Sequence, residues 1–150
     1  MRMRGKKAIF NFKDTWSLDL VLSPIISAGL KRFKEVITDP KNEDSVGYPG
    51  ALHVIAEEDA TDDEMRALWV DTLDTMIYAF DAKEPEMPNG MFKHTPNEVE
   101  VISGTKYTST ELKVKDEVRF ARYKQDRDLH WAKVKEGHAL FARFYTSLWW

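Results

Sequence analysis

The sequence predicts a mainly α fold: a compact helical bundle closed by a long C-terminal helix, with a small β-hairpin near residues 99–110. Three observations predict it. Apolar residues recur at three- and four-residue spacing over two central stretches. A capping box opens the second of these, at Thr61-Asp62-Asp63-Glu64. From Lys115 to Glu136 there is neither Gly nor Pro, which leaves room for one long helix. A chain of 150 residues has the size of a single domain, 1–150, around one core, and its 18 aromatic residues supply much of the apolar area that core needs.

Taken in order, residues 1–13 form a basic N-terminal arm that ends in Ala8-Ile9-Phe10-Asn11-Phe12, a short strand or an extended segment. Asp14 or Thr15 suits a helix N-cap. Leu18, Leu22, Ile25, Ile26, Gly29, Phe33 and Val36 then trace an apolar stripe. Pro24 interrupts it. Ser23-Pro24 resembles an N-cap followed by a first helical residue, so the spacing predicts a short helix, a break, and a second helix to about Ile37. Residues 38–60 have the chemistry of a long surface connection. After the capping box, Met65, Leu68, Trp69, Thr72, Leu73, Met76, Ile77 and Phe80 follow helical spacing closely.

Pro85, Pro88, Asn89-Gly90 and Pro96 make 81–98 irregular. The hairpin strands fall on Val99–Ile102 and Lys106–Thr108, around Ser103-Gly104-Thr105. In the last helix, Val118, Ala121, His130, Val134, Gly137, Phe141, Phe144, Tyr145 and Leu148 are read as the buried side, with room for a break near Asp126–Asp128.

Composition excludes several classes. Cys is absent, so no disulfide framework exists. No apolar run approaches the length of a membrane span, and Ala8-Ile9-Phe10 is too short for a signal-peptide core. A soluble chain with no membrane partner is expected. The net charge of −3 is uneven: residues 1–13 carry +5, 14–110 carry −11 and 111–150 carry +3. Neither a duplex binder nor a nucleic-acid mimic fits that pattern, so a nucleic-acid partner is not expected.

Metal chemistry draws little support. His130 and His138 share a face but stand eight residues apart, where zinc sites on one helix use i and i+4. Asp126 and His130 have the closer spacing, which solvated pairs share. No metal and no cofactor are expected. Asp62, Asp63 and Glu64 are explained by helix capping, and Asp71 with Asp74 by a solvated face. Gly-x-Ser-x-Gly and the phosphate-cradling glycine loops are missing, so no catalytic residue is assigned.

Two positive features remain. Arg119, Arg122, Tyr123, Lys124, Arg127 and Trp131 set guanidinium groups beside flat rings, a combination able to hold phosphates and stack on bases. The alternative is a solvated face laced with Glu117, Asp126 and Asp128. The ligand-binding candidates are Arg119, Arg122, Tyr123, Arg127 and Trp131. The chain also closes on Leu148-Trp149-Trp150, and two indoles left in water are costly. Trp149 and Trp150 pack on their own core or form the contact of a homo-oligomer.

Three stretches carry a resemblance. They are Asp14-Thr15-Trp16-Ser17-Leu18-Asp19; Trp69 with Leu73-Asp74-Thr75-Met76-Ile77-Tyr78-Ala79-Phe80-Asp81; and Glu136-Gly137-His138-Ala139-Leu140-Phe141-Ala142-Arg143-Phe144-Tyr145, running into Leu148-Trp149. Together they resemble a group of small proteins of tailed bacteriophages that share Asp-Thr-Trp, Leu-Asp-x-Met-Ile-x-Ala-Phe and Leu-Phe-x-x-Tyr-x-x-Leu-Trp. About half the chain is covered, and Glu98–Val114 looks like material outside the shared pattern. The resemblance implies a phage protein acting in the host cytoplasm and carries over no catalytic residue. It suits a non-enzymatic accessory binding protein whose partner is a host protein, such as a defence factor, or a small anionic nucleotide signal. Two other readings stay open: a small hydrolase using Asp14, Asp19, Asp71 and Asp74, and a structural or nucleic-acid-associated role for Arg2, Arg4, Lys6 and Lys7.

Overall fold

A computed structural model describes the backbone of residues 2–4, 7–9, 18–42, 47–98 and 108–148, and the side chains of 18–42, 47–93 and 113–148. The chain divides into two compact units, one made of 1–83 with 132–150 and the other of 84–131. The fold is mostly helical, with a long C-terminal helix, as the sequence predicts.

In the first unit, strands β1 (Arg2–Arg4) and β2 (Lys7–Ile9) pair antiparallel, with Arg2 opposite Ile9. Helix α1 runs from Leu18 to Thr38 without a break, through Pro24. The expected interruption is absent. Proline removes the hydrogen bond to the carbonyl four residues back, at Leu20, but Leu20 and Pro24 are both exposed and water can serve that carbonyl. The connection after α1 is less open than its composition suggests. It contains 3-10 turns at Pro40–Asn42 and Gly50–Val54, and the second inserts Leu52, fully buried, into the core.

Helix α2 (Asp62–Asp81) starts where the capping box places it. Thr61 Oγ1 accepts from the Glu64 N–H and Glu64 Oε2 accepts from the Thr61 N–H at 2.8 Å. That bond from the Thr61 N–H and a second from the Thr61 hydroxyl, which donates to Glu64 Oε2 at 2.7 Å, hold the Glu64 carboxyl below its ordinary pKa. Met65, Trp69, Thr72, Leu73 and Met76 are buried along the predicted stripe. Helix α1 packs antiparallel on α2, fixed at its edge by Lys31–Asp81 at 2.7 Å and Lys34–Asp74 at 2.6 Å.

The unit closes with the second half of α3 (Glu117–Phe144), from Ala132 onward. There the helix comes so close to α2 that a Cβ on Gly137 would collide with the Thr75 carbonyl oxygen and the Ala79 Cβ. Glycine is required at that crossing. Trp69 stands edge-on to Phe33 of α1 and to Phe144 of α3, with ring centres 6.3 and 5.4 Å away, so one indole joins all three helices.

In the second unit, β3 (Phe92–Glu98) pairs antiparallel with β4 (Thr108–Val114). These strands flank the predicted hairpin rather than coincide with it. Of the expected strand residues only Thr108 is described, since 99–107 lie outside the described residues. Pro96 read as a breaker, yet it sits opposite Thr110. In a two-stranded ribbon both strands are edges, so the missing N–H can face away from the partner. Gly90, at φ 71°, turns the chain into β3, and the Phe92 ring meets Phe120 at 5.8 Å. Asp116 caps α3 by accepting the Arg119 N–H at 2.9 Å.

The long helix has no break at Asp126–Asp128, and this corrects the reading of its buried side. His130, Val134, Gly137 and Phe144 are buried as expected, and Phe141 and Leu148 half-buried. Val118 and Tyr145 are 82% and 51% exposed, and Ala121 is exposed too. Ala121 and His130 are nine residues apart, which at about 100° per residue is half a revolution. A break would have reset the phase. Without one, Val118 and Ala121 turn outward and Tyr123 turns in.

Candidate functional site

The same arithmetic sorts the Arg–aromatic cluster, which lies within the second unit. Tyr123 is buried, 9% exposed, and its ring has the Arg127 guanidinium carbon 5.9 Å from its centre. Trp131, one turn beyond Arg127, is 43% exposed and meets the His130 ring edge-on at 5.4 Å. Lys124 is exposed and lies two turns before Trp131, so Lys124, Arg127 and Trp131 share a strip about 60° wide. Arg122 does not join them. It is exposed, and its nine-residue separation from Trp131 places it on the other side of the helix. Arg119 is exposed in the first turn, about 120° round from Trp131.

The structure thus brings together Tyr123, Arg127 and Trp131, with Lys124, and separates Arg119 and Arg122 from them. Arg127 also lies 3.7 Å from the exposed Asp128 carboxylate, too far for a strong bond. An anion with a flat ring could take the guanidinium and ammonium on its charged end and the indole on its face. The buried Tyr123 positions Arg127 from beneath.

The carboxylates of the hydrolase reading are dispersed. Asp19, Asp71 and Asp74 are exposed, and both oxygens of Asp74 accept from Lys34 Nζ at 2.6 Å. Asp71 lies on the rim of an open groove of about 470 Å³ with Thr38, Asp39 and Arg66. Asp14 lies outside the described residues. Among the described residues no three His, Asp or Glu side chains gather as a metal site would require. The histidines with described side chains sit against aromatic rings: His53 on Tyr48, His130 on Trp131 and His138 on Phe80. No helix among the described residues is long and apolar enough to cross a membrane. Trp149, Trp150 and the side chains of Arg2, Arg4, Lys6 and Lys7 lie outside the described residues.

A second feature, an apolar groove not evident from spacing alone, lies in the first unit. The α1 stripe, expected to be core, is only partly covered: Leu22, Ile26, Phe33 and Val36 are half-buried, and Ile26 and Phe33 pack on the core. The buried residues of α1 are Ser27 and Leu30, whereas Leu18 and Ile25 are 42% and 44% exposed and Gly29 is exposed. Beside them opens an apolar groove of about 260 Å³, lined by Ile26, Gly29, Leu30 and Phe33 of α1 and by Phe141, Tyr145 and Leu148. Among the described residues, a Cβ on Gly29 would meet nothing within 4 Å. The sequence held a clue: a glycine in the middle of an apolar stripe, beside Ser27 on the core side. The chain matches no protein-family profile, no curated protein and no solved structure.

Proposed function

We infer that this protein is a non-enzymatic binding module, and that the first half of α3 takes an anionic ligand carrying a flat ring, of which a nucleotide is the simplest. One observation supports this reading above the others. Trp131 offers an exposed indole on the strip of helix that also bears Lys124 and Arg127, with Arg127 seated over the buried Tyr123. A planar cation beside a planar ring recognises phosphate and base together, and neither group has to be ordered from scratch. The resemblance to tailed-phage proteins supplies the setting, the cytoplasm of an infected bacterium. There the ligand would be a nucleotide signal of the host, sequestered rather than altered.

Thermal unfolding in the presence of mononucleotides and cyclic dinucleotides tests the reading. A ligand at 100 times its Kd stabilises the folded chain by about 2.7 kcal/mol. Trp131→Ala and Arg127→Met should abolish that gain, and Arg122→Met, on the far side of the helix, should keep it. If none of the nucleotides raises the unfolding temperature, the reading fails. The dispersed carboxylates supply no comparable support for a hydrolase.

A further inference from the structure

The α3 strip carries one more charged group beside its ring, the Asp128 carboxylate. Trp131 has two neighbours one turn before it, Arg127 at four residues and Asp128 at three. A helical side chain leans toward the helix N-terminus, so the Trp131 indole lies over the turn that carries this pair. A flat ring stacked on the indole therefore meets a guanidinium on one side and a carboxylate on the other. The Asp128 side chain is 60% exposed, and its Oδ1 stands 3.7 Å from Arg127 Nη2, an ion pair too long for a strong hydrogen bond. Among the described residues no hydrogen bond occupies this carboxylate.

Carboxylate chemistry selects the ring. An ionised carboxylate only accepts, and it binds best to two N–H groups side by side. Among the common bases guanine alone offers such a pair on one edge, N1–H beside the N2 amine. Adenine and cytosine set a ring acceptor next to their amine, and uracil and thymine set N3–H between two carbonyls. Each of those brings an acceptor against the carboxylate oxygens. The cations set the other end of the ligand. Arg127 and Lys124 lie about 6 and about 10 Å along the axis from Trp131, a span that phosphates on the 5′ carbon cover when the base rests on the indole. A phosphate taking Arg127 frees the carboxylate beside it to turn to the base. Asp126 lies about 140° round the helix from Trp131 and takes no part.

We propose that Asp128 makes the α3 strip selective for guanine, and that its ligand is guanosine carrying a chain of 5′-phosphates. The base stacks on Trp131 with N1–H and the N2 amine donating to Asp128, and the phosphates lie along Arg127 and Lys124. The proposal rests on the nucleotide reading of this strip and adds to it the identity of the base.

Calorimetric titration of the full chain with GTP, ATP and inosine triphosphate tests the base. GTP should bind about 10-fold more tightly than ATP, the worth of one exposed bidentate contact. Inosine triphosphate keeps N1–H and lacks the N2 amine, so it should fall between them. Asp128→Asn keeps the shape of the side chain and turns one acceptor into a donor. It should bring GTP down to the affinity of ATP without weakening ATP. Asp128 is exposed, so the helical circular dichroism of this variant should match that of the wild type. Equal affinity for GTP and ATP in the wild type would overturn the proposal and leave the nucleotide reading standing. A preference for GTP that survives Asp128→Asn would overturn it in the same way. If none of the three binds, the nucleotide reading itself fails and the choice of base falls with it.

Discussion

Two glycines of the first unit, Gly137 and Gly29, differ in what stands in front of them. Each lies inside a helix, where glycine costs about 1 kcal/mol against alanine. At Gly137 the close approach of α2 offsets that cost: Thr75 and Ala79 occupy the space a Cβ would need. At Gly29 no atom of the described residues does so. One face of the unit is completed by its own helices, with Trp69 and Phe144 locked edge to face. The other has the composition of an interior and the exposure of a surface. The same residue type is required by its neighbours in one place and meets none among the described residues in the other.

The contrast can be broken by substitution. The largest effect is expected at the closed face, where Phe144→Ala empties a fully buried site and should lower the unfolding free energy by about 3–5 kcal/mol in urea titration. The matching truncation at the open face, Ile25→Ala, should cost less than about 0.5 kcal/mol when measured at high dilution. Next comes Gly137→Ala, which forces α2 and α3 apart and should cost about 1–3 kcal/mol. Gly29→Ala should have the opposite sign, a gain of about 1 kcal/mol at high dilution, because the methyl enters open space and favours the helix. Equal losses at both glycines would erase the distinction.

A smaller effect sharpens the account of how the closed face is held. Asp81 is kept below its ordinary pKa by the hydrogen bond from Lys31 and by the Lys31 charge, and Glu64 by the bonds to Thr61. A depressed carboxylate contributes stability that is complete above its unfolded pKa and is lost as pH falls through the folded one. The urea midpoint should therefore hold steady down to about pH 4 and fall below it. Asp81→Asn and Glu64→Gln should each flatten that fall. A midpoint that rises on acidification would contradict both assignments.

Legibility in the sequence followed the range of the physics. The start of α2 was legible because Thr61 and Glu64 are three residues apart and their bonds are local. The stripe that follows was legible because it repeats without interruption. Pro24 misled because the cost of an interior proline depends on whether the orphaned carbonyl reaches water. Leu52 was missed because a single 3-10 turn has no periodicity to read. Pro96 misled in the same way as Pro24, since its tolerance depends on whether the strand is an edge. In α3 the unbroken helix turns Val118 and Ala121, the two predicted face residues before Asp126, outward and buries Tyr123.

The candidate site shared that error. A cluster close in sequence was split by helix rotation into Lys124, Arg127 and Trp131 on one strip and Arg122 on another. The α1 face was legible only as apolar, because a sequence pattern does not show which residues of a stripe, here Leu18, Ile25 and Gly29, stand exposed.

The most direct test of the contrast is the pair Gly137→Ala and Gly29→Ala compared in one urea titration. The midpoint should fall for Gly137→Ala, where Thr75 and Ala79 stand in the way, and rise for Gly29→Ala. A midpoint lowered alike by both substitutions would contradict the account.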